Sequence, residues 1–338
     1  MSPPGTIVVI GASAGGVDAL RSIIASLPST LDAAVFVTLH IGAHRSELPW
    51  LLDRIGTLSA SHGVDGEAIR AGHVYIAPPD HHLTIEPGKI VLTRGPRENM
   101  ARPAIDPMFR SAARAYGRNV IGVILTGGLN DGTAGLFEVK AQGGVTIVQD
   151  PANAHGASMP QSAIDNVTID HVADVDAIGP LLTRLIAARR HGGDRAQGDH
   201  ASGDAQERGM TAQFTLNRPV AVTCPDCGGA LRQSQLGSLT QFSCHIGQVY
   251  TVDVVMAAQF LAMERFIEQA LRSLSERGEL CRVMMDKTRA TDPDSVNQWE
   301  VAMEEVFSRT ALLHDLLARE WVHPVANGRT DRRARADI

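Results

Sequence analysis

Short apolar segments alternate with helical patterns through the first half of the chain, and this alternation most constrains its fold. The run Ile7–Ile10 predicts a buried strand, and the segments 34–39, 120–125 and 145–149 repeat the pattern. Between the first two strands, apolar residues recur every three or four positions, which predicts an amphipathic helix. Strands that alternate with helices in this way favour an α/β fold with a doubly wound, mostly parallel sheet.

Composition excludes several classes of protein. The formal net charge of −6 argues against a nucleic-acid-binding scaffold. No apolar run is long enough to span a membrane, and the N-terminal residues have no signal-peptide pattern, so we expect no membrane insertion. The 4 cysteines are too few for a disulfide framework in a chain of 338 residues, which indicates a reducing cytoplasm.

The length and the changes of composition predict four segments. Residues 1–190 form the α/β domain. Residues 191–213 have almost no large apolar side chains and predict a flexible linker. A small cysteine-containing ribbon follows over 214–250, and apolar residues at helical spacing predict an α-helical hairpin over 251–328.

A G-x-S-x-G motif follows the first predicted strand, in the run Gly11-Ala12-Ser13-Ala14-Gly15. A serine at such a turn between strand and helix has an exposed hydroxyl, and the helix N-terminus offers N–H groups to a developing oxyanion. The motif therefore predicts that Ser13 is a nucleophile. The alternative is a glycine-rich turn that binds the phosphates of a nucleotide, although the full G-x-G-x-x-G pattern is absent.

A base and a carboxylate stand at equivalent places after two other strands. His40 directly follows the strand at 35–39, and Asp131 follows the strand that ends at Leu125 by a short loop. In a parallel sheet these positions share the carboxyl edge with Ser13, so a Ser-His-Asp triad can form there. The alternative for Asp131 is a helix N-cap before Gly132.

The sequence resembles the catalytic domain of chemotaxis protein-glutamate methylesterases over about residues 5–187. The resemblance rests on dispersed motifs in the family's order: 10–16, Leu39-His40, Tyr75-Ile-Ala-Pro78, Arg102-Pro-Ala-Ile-Asp106, Leu125-Thr-Gly127, Asn130-Asp-Gly132 and Ser158-Met-Pro160. It implies hydrolysis of glutamate γ-methyl esters on chemoreceptors, deamidation of receptor glutamines, and no cofactor for catalysis. It also implies that Ser13 is the nucleophile, His40 the base and Asp131 the residue that orients it.

Three departures from the family pattern matter. Ala14 removes a hydroxyl from the turn after the nucleophile but keeps its backbone N–H, and Gly128 stands where the family usually has methionine. The resemblance implies that these two N–H groups form the oxyanion hole. As a third departure, the catalytic strand starts close to Met1, so we expect no receiver domain before the esterase and no control by aspartyl phosphorylation within the chain.

Two arginines precede the Pro103 segment and are candidates for binding substrate. Arg97 and Arg102 are placed to bind acidic receptor helices or the product carboxylate, or else are solvated loop charges. We expect methylated chemoreceptors to be the partners of the catalytic domain. Other chemosensory proteins are candidate partners for the C-terminal helices.

Cys224-x-x-Cys227 followed by Cys244 has the spacing of a zinc ribbon. A structural zinc needs four ligands, and His245 is the nearest candidate for the fourth, although it is adjacent to Cys244. Gln248 occupies the position where related proteins often have a second histidine. The alternative is a ribbon that holds no metal.

The sequence favours a serine hydrolase, and two other classes of function stay open. One is a docking or regulatory module that keeps the esterase fold with weak catalysis. The other is nucleotide binding at the glycine-rich turn. The presence of serine, histidine and aspartate together at strand ends favours the hydrolase.

Overall fold

The structure is a computed structural model that describes residues 4–41, 46–192, 219–237, 239–289 and 293–319. Most of the linker that the sequence predicts at 191–213 lies outside the described residues, so it stays a prediction. Among the helices described, none combines the length and the apolar character that crossing a membrane requires.

A seven-stranded sheet organises the first part of the chain, and all its neighbouring strands are parallel. Its central strands are buried along their whole length, because helices cover both faces. The strands up to residue 173 are β1 (Ile7–Ala12), β2 (Ala34–Leu39), β3 (Ser59–His62), β4 (His73–Ile76), β5 (His82–Glu86), β6 (Lys89–Thr93), β7 (Val120–Ile124), β8 (Val145–Gln149) and β9 (His171–Ala173). The sheet has the order β3-β4-β2-β1-β7-β8-β9, and β5 and β6 form a separate antiparallel hairpin.

Two hydrophobic cores lie on opposite faces of this sheet. The helices are α1 (Gly16–Ser26), α2 (Leu48–Ile55), α3 (Ile105–Tyr116), α4 (Thr133–Ala141), α5 (Ser158–Asn166) and α6 (Val175–Gly192). Apolar residues of α1, α2 and α6 pack in one core, and those of α3, α4 and α5 pack in the other. The prediction of a doubly wound, parallel α/β fold is therefore confirmed.

The strand order reverses direction at β1, which makes the boundary between β1 and β7 the topological switch point of the sheet. The chain leaves β1 toward β2 on one side and later returns with β7 on the other side. Ligands of open α/β sheets bind beyond the carboxyl ends of the strands at such a point. The loops that follow β1, β2 and β7 meet there.

A four-stranded antiparallel ribbon follows the residues that are not described. Its strands are β10 (Pro219–Thr223), β11 (Ala230–Leu236), β12 (Leu239–Ser243) and β13 (Val249–Thr251). The ribbon packs in the same compact unit as the parallel sheet, and this unit extends to Val254. The domain ranges that the sequence suggests stay a prediction.

The second compact unit is a pair of long helices, α7 (Val252–Thr288), whose first residues belong to the first unit, and α8 (Pro293–Ala318). The helices pack closely at Gly278, where a Cβ atom would lie 3.4 Å from Cγ1 of Val306. Cys281 and Val306 are buried in this unit, whereas Phe266 and Phe307 are exposed. The predicted C-terminal helices are present.

Candidate active site

Ser13, His40 and Asp131 meet at the carboxyl edge of the sheet. Ser13 directly follows β1, and His40 directly follows β2. The backbone fixes both turns, since the N–H of Ser13 donates to Thr126 O (2.9 Å) and the N–H of His40 donates to Ala12 O (3.2 Å). The structure therefore brings the three predicted residues together.

The three side chains form a continuous hydrogen-bonded chain. His40 Nε2 lies 2.8 Å from Asp131 Oδ2, and His40 Nδ1 lies 3.2 Å from Ser13 Oγ. An ionised carboxylate only accepts hydrogen bonds, so His40 Nε2 carries the proton that is donated to Asp131. The other ring nitrogen, Nδ1, is then free to accept the proton of the Ser13 hydroxyl.

Asp131 is 2% exposed and lies at the N-terminus of α3. Its carboxylate accepts hydrogen bonds from the backbone N–H of Ile105 (2.7 Å), Asp106 (3.3 Å) and Gly132 (3.0 Å). Burial alone would raise the pKa of Asp131, but the hydrogen bond from His40 and those from Ile105 and Asn99 lower the pKa to about 2. Asp131 is therefore ionised, and it caps α3 rather than α4.

A second buried carboxyl group, that of Asp106, lies next to Asp131 and was not predicted to belong to the site. Asp106 stands in the first turn of α3, and its Oδ1 accepts from the N–H of Gly135 (2.6 Å) at the N-terminus of α4. Burial and the negative charge of Asp131 raise the pKa of Asp106 well above its ordinary value. The sequence motif Arg102-Pro-Ala-Ile-Asp106 marked this residue without giving it a role.

Asn99 joins the two carboxyl groups, and it was also not predicted. Its Nδ2 donates to Asp131 Oδ1 (2.9 Å) and to Asp106 Oδ2 (3.0 Å). Asn99 lies in a loop with a positive φ of 50°, which asparagine tolerates better than most residues. A loop position without hydrophobic periodicity offers no signal of such a contact in the sequence.

The two residues that the resemblance assigns to the oxyanion hole, Ala14 and Gly128, both lie in loops at the carboxyl edge of the sheet. Ala14 follows Ser13 at the turn, and Gly128 lies in the exposed part of the loop after β7. Within the described residues, neither N–H has a hydrogen-bond acceptor. The neighbouring Gly127 is anchored, because its N–H donates to Gly156 O (2.9 Å) and a Cβ atom there would lie 2.8 Å from Ser13 Cβ.

The turn after β1 is tightly packed at Gly15. A Cβ atom on Gly15, whose φ is 72°, would lie 2.5 Å from Cβ of His155. The side chain of His155 therefore packs against this glycine, and the turn that presents Ser13 needs a residue without a side chain here.

The two arginines that the sequence singled out have different surroundings. Arg102 forms an ion pair with Asp80, whose Oδ1 accepts from Arg102 Nε (2.8 Å) and Nη2 (2.6 Å). Arg97 is exposed and lines an open cleft of about 580 Å³ between its loop and the ribbon residues Asp226 and Gln248. Arg97 is the better placed of the two to meet an anionic group.

The predicted ribbon cysteines also meet. The Sγ atoms of Cys224, Cys227 and Cys244 lie within 4.8 Å of one another, a spacing that suits one metal ion. Gln248 Oε1 accepts from the thiols of Cys224 (3.1 Å) and Cys244 (3.2 Å), and His245 Nδ1 lies 4.0 Å from Cys227 Sγ. The donor set therefore fits three thiolate ligands, with His245 and Gln248 as two candidates for a fourth.

Known proteins share this fold and the sequence that builds the site. Residues 8–182, about half of the chain, match the protein family described as CheB methylesterase. The chain belongs to the CheB methylesterase family. It is therefore a methylesterase-type hydrolase, as the motifs around Ser13, His40 and Asp131 indicate, and the resemblance found in the sequence is confirmed.

Relatives of this CheB family member share the catalytic region. A Leptospira interrogans protein is 40% identical over 181 residues, which cover 53% of this chain and 93% of that protein. The protein-glutamate methylesterase/protein-glutamine glutaminase of Chromohalobacter salexigens is 38% identical over 190 residues, 54% of this chain and 53% of that protein. The crystal structure of the Thermotoga maritima CheB methylesterase catalytic domain covers 55% of this chain and 100% of its own, with 37% identity and a TM-score of 0.52. The match thus covers about half of the Chromohalobacter protein.

Proposed function

We propose that this chain hydrolyses glutamate γ-methyl esters on chemoreceptors and deamidates receptor glutamines. The Leptospira and Chromohalobacter relatives carry both activities in their names, and the site offers the groups that both reactions need. The hydrogen-bonded chain from Ser13 through His40 to Asp131 is the observation that carries the proposal.

The geometry gives each group a role in acyl transfer. Ser13 Oγ attacks the γ-carbonyl carbon while its proton passes to His40 Nδ1, and the N–H groups of Ala14 and Gly128 stabilise the oxyanion. His40 then gives the proton to the departing methoxide, and methanol leaves. Water, activated by the same imidazole, cleaves the acyl-enzyme to glutamate. With a glutamine substrate the leaving group is ammonia. Asp131 keeps the imidazole oriented and stabilises its charged form.

Two further assignments belong to this proposal. Arg97, at the rim of the cleft, binds the acidic side chains that surround a methylation site, whereas Arg102 shapes the loop through Asp80. The ribbon binds one structural zinc through Cys224, Cys227 and Cys244, with the fourth ligand supplied by His245 or Gln248. The metal supplies folding free energy and takes no part in ester hydrolysis.

The test is methanol release from a methylated receptor. We expect Ser13→Ala to lower the rate by roughly four orders of magnitude or more, because residues of a triad act as a unit. Ser26→Ala is the matched control, since Ser26 lies on α1 and its hydroxyl donates to Ile23 O of its own helix. Both variants should keep the thermal unfolding temperature of the wild type. If Ser13→Ala retains the wild-type rate, the triad assignment is wrong; if the wild type binds receptor and cleaves no ester, a docking module is the better description.

A further inference from the structure

The last strand of the ribbon holds Asn99 from the side opposite the two carboxyl groups. The N–H of Thr251 donates to Asn99 Oδ1 (3.2 Å), and the N–H of Asn99 donates to Val249 O (2.8 Å). A second link lies beside it, where Thr251 Oγ1 donates to Asn130 Oδ1 (2.6 Å) and Asn130 Nδ2 donates to Asp253 Oδ2 (2.7 Å). All these residues belong to one compact unit. The ribbon thus contacts two loops near Asp131, one through Asn99 and the other through Asn130.

Contacts on two sides set which way the Asn99 amide faces. An amide group has a donor end and an acceptor end. The ionised Asp131 carboxylate only accepts hydrogen bonds and so favours the NH₂ group, while the Thr251 N–H favours the oxygen on the other side. Without the Thr251 N–H, the Asn99 side chain loses the contact that holds it in place against the two carboxyl groups.

We propose that Asn99 is a positioning residue of the esterase, which holds the Asp131 carboxylate for His40, and that the ribbon fixes Asn99 through the N–H of Thr251. The inference rests on the proposed function, since it assigns a task within the same triad. It makes the ribbon a part of the catalytic unit rather than an appended module.

Several titratable groups lie around Asp131, and Asn99 has to reduce the repulsion between two of them, the carboxyl groups of Asp131 and Asp106. His40 donates to Asp131 directly, Asp106 lies on the other side of Asn99, and the partly buried ion pair between Arg110 and Glu98 (2.6 Å) acts on Asp106. His82 also lies within the field of Asp131. Asn99 is a neutral donor between two carboxyl groups, so it lowers the repulsion between them without adding a charge.

The first experiment removes the Asn99 side chain. In Asn99→Gly the positive φ is retained without strain, while both hydrogen bonds to the carboxyl groups are lost. We expect kcat for ester hydrolysis to fall roughly 10- to 100-fold with little change in KM, because Asp131 acts through His40 and not on the substrate. Met100→Gly is the matched control, since Met100 is the next residue and also has a positive φ of 63°.

The pH profile separates positioning from a general loss of structure. In the wild type Asp131 stays ionised along the acid limb of kcat/KM. In Asn99→Gly the pKa of Asp131 rises from about 2, because the Asn99 hydrogen bond that lowers it is lost. Asp131 then gains a proton at the low-pH end of the profile, and the acid limb becomes steeper there. A loss of equal size at every pH, or a wild-type profile, overturns the role of Asn99.

The second experiment tests the ribbon's part. Thr251→Pro removes the N–H and the hydroxyl, and Thr251→Val removes the hydroxyl alone, so their difference isolates the N–H. Thr251 directly precedes α7, whose first turn tolerates proline. We expect Thr251→Pro to reproduce the lower kcat and the steeper acid limb, and Thr251→Val to keep the wild-type profile. Even a Thr251→Pro chain whose ribbon unfolds must show the same change, because the N–H is then also absent.

Failure of this inference is distinguishable from failure of the proposed function. If Thr251→Pro and Thr251→Val behave alike, the ribbon does not fix Asn99, while the triad assignment stands. If Ser13→Ala is as active as the wild type, the proposed function fails, and no variant of Asn99 or Thr251 can then show the expected change in acid limb.

Discussion

At the scale of single residues, two neighbouring carboxyl groups are held in opposite states. Asp131 receives hydrogen bonds from His40, Asn99 and three backbone N–H groups, and it is ionised. Asp106 is equally buried and faces the charge of Asp131, which raises its pKa. Different environments that separate the pKa values of two adjacent acids are typical of catalytic sites. Each carboxyl group also caps the helix that begins beside the other.

Replacement of Asp106 tests this separation through the pH dependence of stability. Asp106 has a raised pKa in the folded state, so its contribution is fully present below the unfolded value of about 3.9 and is lost as pH rises through the folded pKa. Asp106→Asn lacks this titration. We expect the unfolding free energy of the wild type to decline relative to Asp106→Asn as the pH rises above about 4. Asp131 does not interfere, because its lowered pKa confines its contribution to pH values below about 4. Chemical denaturation at several pH values measures the difference, and parallel curves would contradict it.

The sequence could predict that Ser13, His40 and Asp131 meet, because each follows a buried strand directly or by one short loop. Ser13 and His40 are marked by the apolar runs before them, and parallel strands bring their ends to one edge. Asn99 has no such marker. Its partner Thr251 lies 152 residues away, and the backbone conformation that lets its side chain reach Asp131 is known only from the structure. The capping of α3 by Asp131 was missed for the same reason.

At the scale of helices and strands, the site depends on how closely α3 and α4 approach. Their N-termini must lie side by side, because Asp131 caps α3 and Asp106 caps α4. Gly135 permits this contact, since a Cβ atom there would lie 2.5 Å from Phe109 Cβ. Long apolar strands such as β2 and β8 were predicted with their observed bounds. The edge strands β3 and β9 were missed, because they are short and only partly buried and so carry no apolar run.

Gly135→Ala tests the approach of these helices. The added methyl group meets the side chain of Phe109, and it lies 3.1 Å from Asp106 O, which belongs to the backbone and cannot rotate away. We expect the unfolding free energy to fall by about 1–3 kcal/mol, the usual effect of overpacking a core. Gly5→Ala is the control, since a Cβ atom on Gly5 has nothing within 4 Å. Equal thermal unfolding temperatures for the two variants would show that the helices adjust without strain.

At the scale of the whole molecule, the ribbon and the parallel sheet form one unit although the sequence between them is not described. The hydrogen bonds of Thr251 with Asn99 and Asn130 join them next to the triad. Composition suggested separate modules, since it reports which segments can bury a core and does not report which surfaces meet. We therefore expect the esterase to depend on a folded ribbon, and the ribbon to depend on the cysteine cluster.

Removal of metal tests this dependence. Two turns build the cluster: Gly228 and Gly247 have positive φ angles of 70° and 95°, and their N–H groups donate to Cys224 O and Cys244 O. We expect about one zinc per purified chain, lost in Cys244→Ser because three donors cannot close a tetrahedral site. Cys281→Ser is the control, since Cys281 is buried in α7 and lies outside the cluster.

Chelation should speed amide hydrogen exchange at β13 and then lower kcat as Thr251→Pro does, because a loosened β13 no longer orients Asn99. A metal-free chain with a protected β13 and full activity would instead show that hydrogen bonds from Cys224 and Cys244 to Gln248 hold the ribbon without an ion.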